Sequence, residues 1–200
     1  MLKTNADRRA VLLGLLVLFW PDLAAAQEDA MTFRVAVGQS CRGSCSTEIA
    51  ADGMITQQSA EDFRKIADTF RPNPIVVRLA SPGGNLVGSL HLGQALREFN
   101  STVIVSKGAR CTSACVYAFL GGAVRHVAGG QVGVHRFRPE AEQTDHDFPT
   151  VLVQRATEIL MTYVTEMGAD PDLIKLAMSI SPPSIHFLNA EELRRFRVVN

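Results

Sequence analysis

Hydrophobic positions along this chain change period repeatedly, and each period predicts an element. In "MTFRVAVG", Phe33, Val35 and Val37 recur every second residue, the pattern of a half-buried strand. "SAEDFRKIADTF" instead spaces Phe63, Ile66, Ala67 and Phe70 as the stripe of an amphipathic helix, and Ser59 three before Asp62 gives it a capping-box-like start. "PIVVRLA" predicts a strand that "SPGG" breaks. "NLVGSLHLGQALREF" follows as a helix with Leu86, Leu90 and Leu96 toward the core. "STVIVSK" is a further strand, "GARC" a turn, and "TSACVYAFLGG" a short apolar helix ended by glycines. "QVGVH" predicts a short strand ending at His135, followed by a polar connector, "RFRPEAEQTDHD". A long helix then runs from about Thr150 to Met167. Asp170 caps the next, with Pro171 at its first position, and Asn189 with Glu192 three on opens a last short one. "FRVV" predicts a final edge strand.

Strands alternating with helical crossovers imply an α/β fold, a mostly parallel sheet with covering helices. Sites in such folds form at the carboxyl ends of strands, where helix N-termini point inward. "SPGG" and "CTSAC" both fall at strand-to-helix junctions, which places Gly84 and Ser113 near one another in space. A hydrolytic serine needs a base within hydrogen-bond reach and donors for an oxyanion. Ser113 opens a helix, so backbone N–H groups lie close by, and Gly83-Gly84 lets main chain approach a substrate unobstructed. His135 ends a strand and can present its ring across the same cleft. The plain alternatives are a serine that only caps its helix and a structural or surface histidine. His91, His146 and His186 also read as surface or structural residues, His186 being the most interesting of the three.

Composition narrows the setting. Apolar residues make up 46% and charged residues 20% of the 200, with Lys+Arg and Asp+Glu both at 20, a globular and balanced chain without the basic block that nucleic-acid binding calls for. The first 26 residues have the form of a cleavable export signal: Lys3, Arg8 and Arg9, then "AVLLGLLVLFW", then "LAAAQ" with cleavage expected after Ala26. Arg8-Arg9 leaves the twin-arginine and general secretory routes both open. The folded domain is therefore expected over 27–200, periplasmic or secreted, with a membrane contact only if the leader is retained. Export permits disulfides. Four cysteines remain in two close pairs, Cys41 with Cys45 and Cys111 with Cys115, and three pairings are possible. C-x3-C without an adjacent histidine is not a zinc pattern, and no metal is expected. Cys41–Cys45 is geometrically easy. Cys111 and Cys115 on one helix face are not, which reads Cys115 as a small core residue.

"VVRLASPGGNLVGSLHLGQALREF" resembles the Clp protease proteolytic subunit and the wider ClpP/crotonase superfamily, in its strand, Ser-Pro-Gly-Gly turn and helix. Gly84 to Ser113 is 29 residues and Ser113 to His135 is 22, close to the family's spacings, and "FLNAEELRRF" resembles its "FLSAEEA" segment. The resemblance spans roughly 32 to 198 and is greatest to the secreted ClpP-like group, which often carries a Cys-x-Ser-x-Cys run. It implies a ClpP/crotonase-like fold with Ser113 as nucleophile, His135 as general base, and the N–H groups of Gly84 and Ala114 as oxyanion hole. The family's aspartate has no counterpart, since "SPPSIHFLNA" puts Ser184 or Ile185 in its place. Ser184, Asp170, Asp172 or Glu191 are the candidates for a third member, and Lys175 the candidate for a Ser-Lys scheme.

Two functions follow as expectations. One is an exported serine peptidase acting on peptides or unfolded protein without cofactor or ATPase partner. The other is a noncatalytic module that binds peptide or protein in the same cleft. Acyl-CoA chemistry, another use of the superfamily's fold, needs a cytoplasmic cofactor and is set aside. The resemblance also implies a homo-oligomer, and the apolar helix at 148–167 is available to cover an interface.

Overall fold

The computed structural model describes residues 29–36, 46–137 and 148–200, with the side chains of 148–152 left out. The segment expected to be an export signal, Cys41, Cys45 and His146 lie outside the described residues. The elements are β1 (Thr32–Ala36), β2 (Thr47–Asp52), α1 (Ser59–Asp68), β3 (Ile75–Ala80), α2 (Leu86–Glu98), β4 (Thr102–Ser106), β5 (Arg110–Thr112), α3 (Cys115–Leu120), β6 (Val124–Ala128), β7 (Gln131–Val134), α4 (Phe148–Glu166), α5 (Asp172–Ser179), β8 (His186–Phe187) and α6 (Ala190–Arg195).

The expected α/β architecture is present, but its sheets are mixed. One sheet has the order β1-β2-β3-β4-β6 and a smaller one β5-β7-β8. β2, β3, β4 and β6 run parallel, as do β5 and β7, while β1 on β2 and β8 on β7 are antiparallel. A parallel neighbour needs a crossover of about a dozen residues or more. α1 and α2 supply it between β2, β3 and β4, whereas the connection from Ala36 to Thr47 is too short.

Four strands went unforeseen, β2, β5, β6 and the two-residue β8. β2 buries Thr47, Ile49 and Ala51, a face with one large apolar side chain and hence a faint period-two pattern. β5, expected as a turn, and β6 owe their strand form to their partners. "FRVV" is not a strand: Val198 is buried, and Asn200 bonds β6 through side-chain contacts to Arg125 N and Ala123 O. The capping box expected at Ser59 and Asp62 does not form. Gln58 occupies the cap position, and the Ser59 hydroxyl accepts from Thr56 N–H at 2.9 Å. The start expected at Asn189 forms as patterned, whereas Pro171 rather than Asp170 holds the cap position of α5 and the cap at Asn85 was not foreseen. Asn85 caps α2 by accepting from Gly88 N–H, Asp170 Oδ1 accepts from Asp172 N–H, and Asn189 with Glu192 forms a full capping box on α6.

The core lies between the sheets and α1 to α5. Phe63 is fully buried, its ring tilted against Phe33 and edge-on to Phe99; burying such a side chain contributes about 2–3 kcal/mol. Of the leucines expected inward on α2, Leu96 is buried and Leu86 and Leu90 are half-buried. α2, α3 and α4 meet where Tyr163 donates its hydroxyl to the Tyr117 carbonyl, in space that a Cβ on Gly93 would fill. Burial pushes both tyrosine hydroxyls up, out of the titrating range.

The chain ends of α3, α4 and α6 converge on two arginines. The buried Arg125 guanidinium donates to the carbonyls of Leu120, Gly122, Met167, Arg197 and Val198. Arg97, half-buried on α2, donates to those of Leu120, Gly121, Gly122 and Met167. Helix C-termini leave carbonyls unpaired and carry partial negative charge, so two cations can sit side by side without a carboxylate between them. Burial, then Arg97, pushes Arg125 down to about 10, which leaves it charged at neutral pH.

Candidate functional site

The smaller sheet brings the sequence candidates to one end. β5 pairs β7 with Thr112 against Gly133, and the Ser113 N–H donates to the Gly133 carbonyl at 2.9 Å. β8 pairs the other side of β7, with Phe187 against Gly133 and His186 against Val134. Ser113 is the residue after β5, His135 the residue after β7, and Ile185 the residue before β8. Continuing the antiparallel ladder by one step sets Ile185 opposite His135, and opposite residues share a face.

The "SPGG" turn is laid against the same end. Ser81 N–H donates to Arg110 O and Thr112 N–H to Ser81 O, while the Thr112 hydroxyl donates to Pro82 O. Gly83 has φ +117° and Gly84 φ +126°, a region costly to other residues. Gly83 also abuts the serine, since a Cβ there would lie 2.8 Å from Ser113 Cβ and 3.1 Å from Ala114 N. The sequence had singled out Gly84; the glycine that touches Ser113 is its neighbour. Among the described residues, neither the Gly84 N–H nor the Ala114 N–H donates a hydrogen bond.

Ser113 does not cap α3. The cap position belongs to Ala114, without a side-chain bond, and Ser113 is a half-buried residue at φ +57°. Its hydroxyl makes no hydrogen bond among the described residues. The disulfide reading is corrected here. Cys111 and Cys115 are bonded, with Cα atoms 5.2 Å apart and both side chains buried. Cys111 belongs to β5 rather than to the helix, so the sharp turn at Ser113, not helical spacing, sets the distance. The bond closes a loop of five residues around the serine.

His135 is half-buried, and its Nδ1 lies 2.8 Å from the Arg136 carbonyl oxygen. Among the described residues no hydrogen bond joins its ring to Ser113 or to a carboxylate. The four candidates for a third member are engaged or placed elsewhere. Ser184 is exposed in a turn closed by its own N–H on Ser181 O. Asp170 accepts from Asp172 N–H at the start of α5, and Asp172 pairs with Lys175 at 2.6 Å, which lowers the carboxyl and raises the amine while removing Lys175 from the site. Glu191 lies exposed in the first turn of α6. Ile185, one step beyond the His186–Val134 pair, is 39% exposed. His186 is bound through Nε2 to Glu192 at 2.9 Å.

Beside this end, a cavity of about 540 Å³ is lined by Ala80, Ser81, Pro82, Arg110, Thr112 and Ile185. Phe187, 37% exposed on β8, adds a second apolar side chain nearby, and β8 is an edge strand of its sheet. Among the described residues no cluster of His, Cys, Asp or Glu has the makings of a metal site, and no helix is long and apolar enough to cross a membrane. Sequence reasoning missed the Arg136 carbonyl and the contact of Gly83 with Ser113, though it named Gly83 in the turn and Ile185 as one of two residues in place of the aspartate.

No protein-family model matches the chain, and no curated protein is found similar to it. Solved structures do resemble it. A mutant of ClpP1 from Listeria monocytogenes superposes with a TM-score of 0.54 at 18% identity, over 73% of this chain and 84% of that one. A mutant of the 1510-N membrane-bound stomatin-specific protease gives 0.50 at 17% identity, over 76% and 75%. At such identities the likeness is one of fold: an α/β architecture broadly of the ClpP type.

Proposed function

We propose that the end of the smaller sheet binds an extended peptide or unfolded protein segment, and that the protein does so outside the cytoplasm. The observation that carries this reading is the pair of unused main-chain donors in the "SPGG" turn and after Ser113. The exposed Gly84 and the turn at Ala114 hold N–H donors with no partner among the described residues, and a peptide carbonyl is the acceptor such donors suit. The edge strand β8 offers further main chain, with Ile185 and Phe187 as apolar contacts, the elements of recognition by strand addition. One of the structures of similar fold is named as a stomatin-specific protease, an enzyme whose ligand is polypeptide. In its simplest form the module does not catalyse. Among the described residues no carboxylate meets His135, and no hydrogen bond links that ring to Ser113.

A second reading, a slow Ser113–His135 hydrolase, is favoured by one specific observation. Ser113 keeps a left-handed backbone and an unbonded hydroxyl, though it caps nothing. Fluorescence anisotropy with labelled denatured casein tests the first reading. Saturable binding weakened severalfold by Phe187→Ser is expected, and absence of binding overturns it. A fluorophosphonate probe on the same protein decides the second. Labelling lost in Ser113→Ala and His135→Ala supports hydrolysis, and no labelling of the folded wild type rejects it.

A further inference from the structure

We infer that the main-chain carbonyl of Arg136 does for His135 what a carboxylate does in a serine triad as far as orientation goes, fixing the tautomer that leaves Nε2 free to act as a base. This goes beyond peptide binding, and only its consequence for reactivity rests on the hydrolytic reading.

A carbonyl oxygen accepts and never donates, so the contact of 2.8 Å places the proton on Nδ1. The tautomer of a histidine is set by the bond its other nitrogen makes. Nε2 then carries the lone pair. Arg136 is not free to drift, because its own N–H donates to the Ile180 carbonyl at 2.9 Å, which ties the residue after His135 to the end of α5. The ring is thus held from behind by main chain on a strand end adjoining that of Ser113.

The chemistry this permits balances without an external reactant. As Ser113 Oγ bonds to a substrate carbonyl carbon, its proton passes to His135 Nε2 and the carbonyl electron pair moves to oxygen. Collapse expels the amine, which takes the proton from Nε2, and water repeats the sequence on the acyl group. During the first step the imidazole becomes a cation. A carboxylate would offset that charge, whereas a neutral carbonyl orients the ring without doing so. Ile185 precedes β8, whose last pair with β7 is His186 with Val134, so it is the next position along that edge toward His135. Because it is part-exposed, an aspartate there is not forced into the core.

The test uses the mature protein labelled with ¹⁵N-histidine, at a mildly alkaline pH where the ring is neutral. Long-range ¹H–¹⁵N correlation reports which nitrogen bears the proton, and His135→Gln identifies the resonance. A protonated Nδ1 with a bare Nε2 is expected, and a protonated Nε2 overturns the inference. This readout needs no turnover. Nδ1–H in a protein the probe never labels would sink the hydrolytic reading alone, and Nε2–H in a protein it does label would sink this inference alone. Ile185→Asp carries the second arm. It is expected to keep the Nδ1–H signature and to raise fluorophosphonate labelling of Ser113 by about tenfold or more. A folded Ile185→Asp protein with unchanged labelling shows that charge behind the ring is not what the pair lacks.

Discussion

Ser113 occupies a conformation that costs a non-glycine residue about 1–2 kcal/mol, at φ +57°. Neither a cap nor a side-chain hydrogen bond offsets that cost locally. Among the described residues the hydroxyl has no stabilising partner, and a substitution separates the two roles. Ser113→Gly is expected to stabilise the protein by about 1 kcal/mol in urea unfolding, while Ser113→Ala stays within about 0.5 kcal/mol of wild type. If Ser113→Gly lowers stability, the hydroxyl has a structural partner and the site reading weakens. The spacing of "SPGG", Ser113 and His135 in the sequence already brought these residues together. The backbone angle was not legible, because it is imposed by the pairing of β5 with β7 and by Gly83 pressing on the turn. Ile185 was legible only as one of two residues standing where the family has an aspartate, and the ladder to β7 is what turned that position toward His135.

The helices end on charge. Arg125 satisfies carbonyls from α3, from the end of α4 and from the segment after α6, five hydrogen bonds from one buried side chain. Arg125→Met leaves the Arg197 and Val198 carbonyls without a side-chain donor and the other three with Arg97 alone, at a cost of about 3 kcal/mol or more. Arg97→Met, at a half-buried side chain, is expected to cost less. Equal losses in urea titrations of the two variants would refute the ranking. At the start of α6, the Asn189 N–H and then His186 hold the Glu192 carboxyl below its ordinary range. A depressed carboxyl contributes stability that is full above its unfolded value of 4.5 and disappears as pH falls through the folded one. Wild type should lose stability relative to Glu192→Gln as pH drops below about 4.5, and parallel melting curves from pH 6 to 3 would contradict this. The helix start at Asn189 could be read directly, because the capping contact is local. The failed box at Ser59 shows the limit, since a residue three positions upstream claimed the hydroxyl. The arginine pair left no pattern at all, its acceptors being main chain from segments remote in sequence.

The two sheets depend on each other through the segment that carries Ser113. Ser81 bridges β5 to the turn after β3, and the disulfide ties β5 to α3. Closing a five-residue loop is worth about 2 kcal/mol on the chain-entropy account. A Cys111→Ser/Cys115→Ser variant is expected to lose that amount and to unfold at a lower temperature. An unchanged melting temperature would mean that the β5–β7 pairing holds the turn unaided. What the amino-acid order determined by itself is the alternation of strands and helices, the α/β class, the cap at Asn189 and the glycine-bearing turn, because hydrophobic period and turn chemistry act over a few residues. Tertiary structure alone decided the mixed direction of the sheets, the bond between Cys111 and Cys115, the arginine-bound helix ends and the main-chain partner of His135. Each of those depends on which distant segments meet, and pairing between segments is settled by burial and hydrogen-bond satisfaction over the whole core rather than by any stretch of sequence.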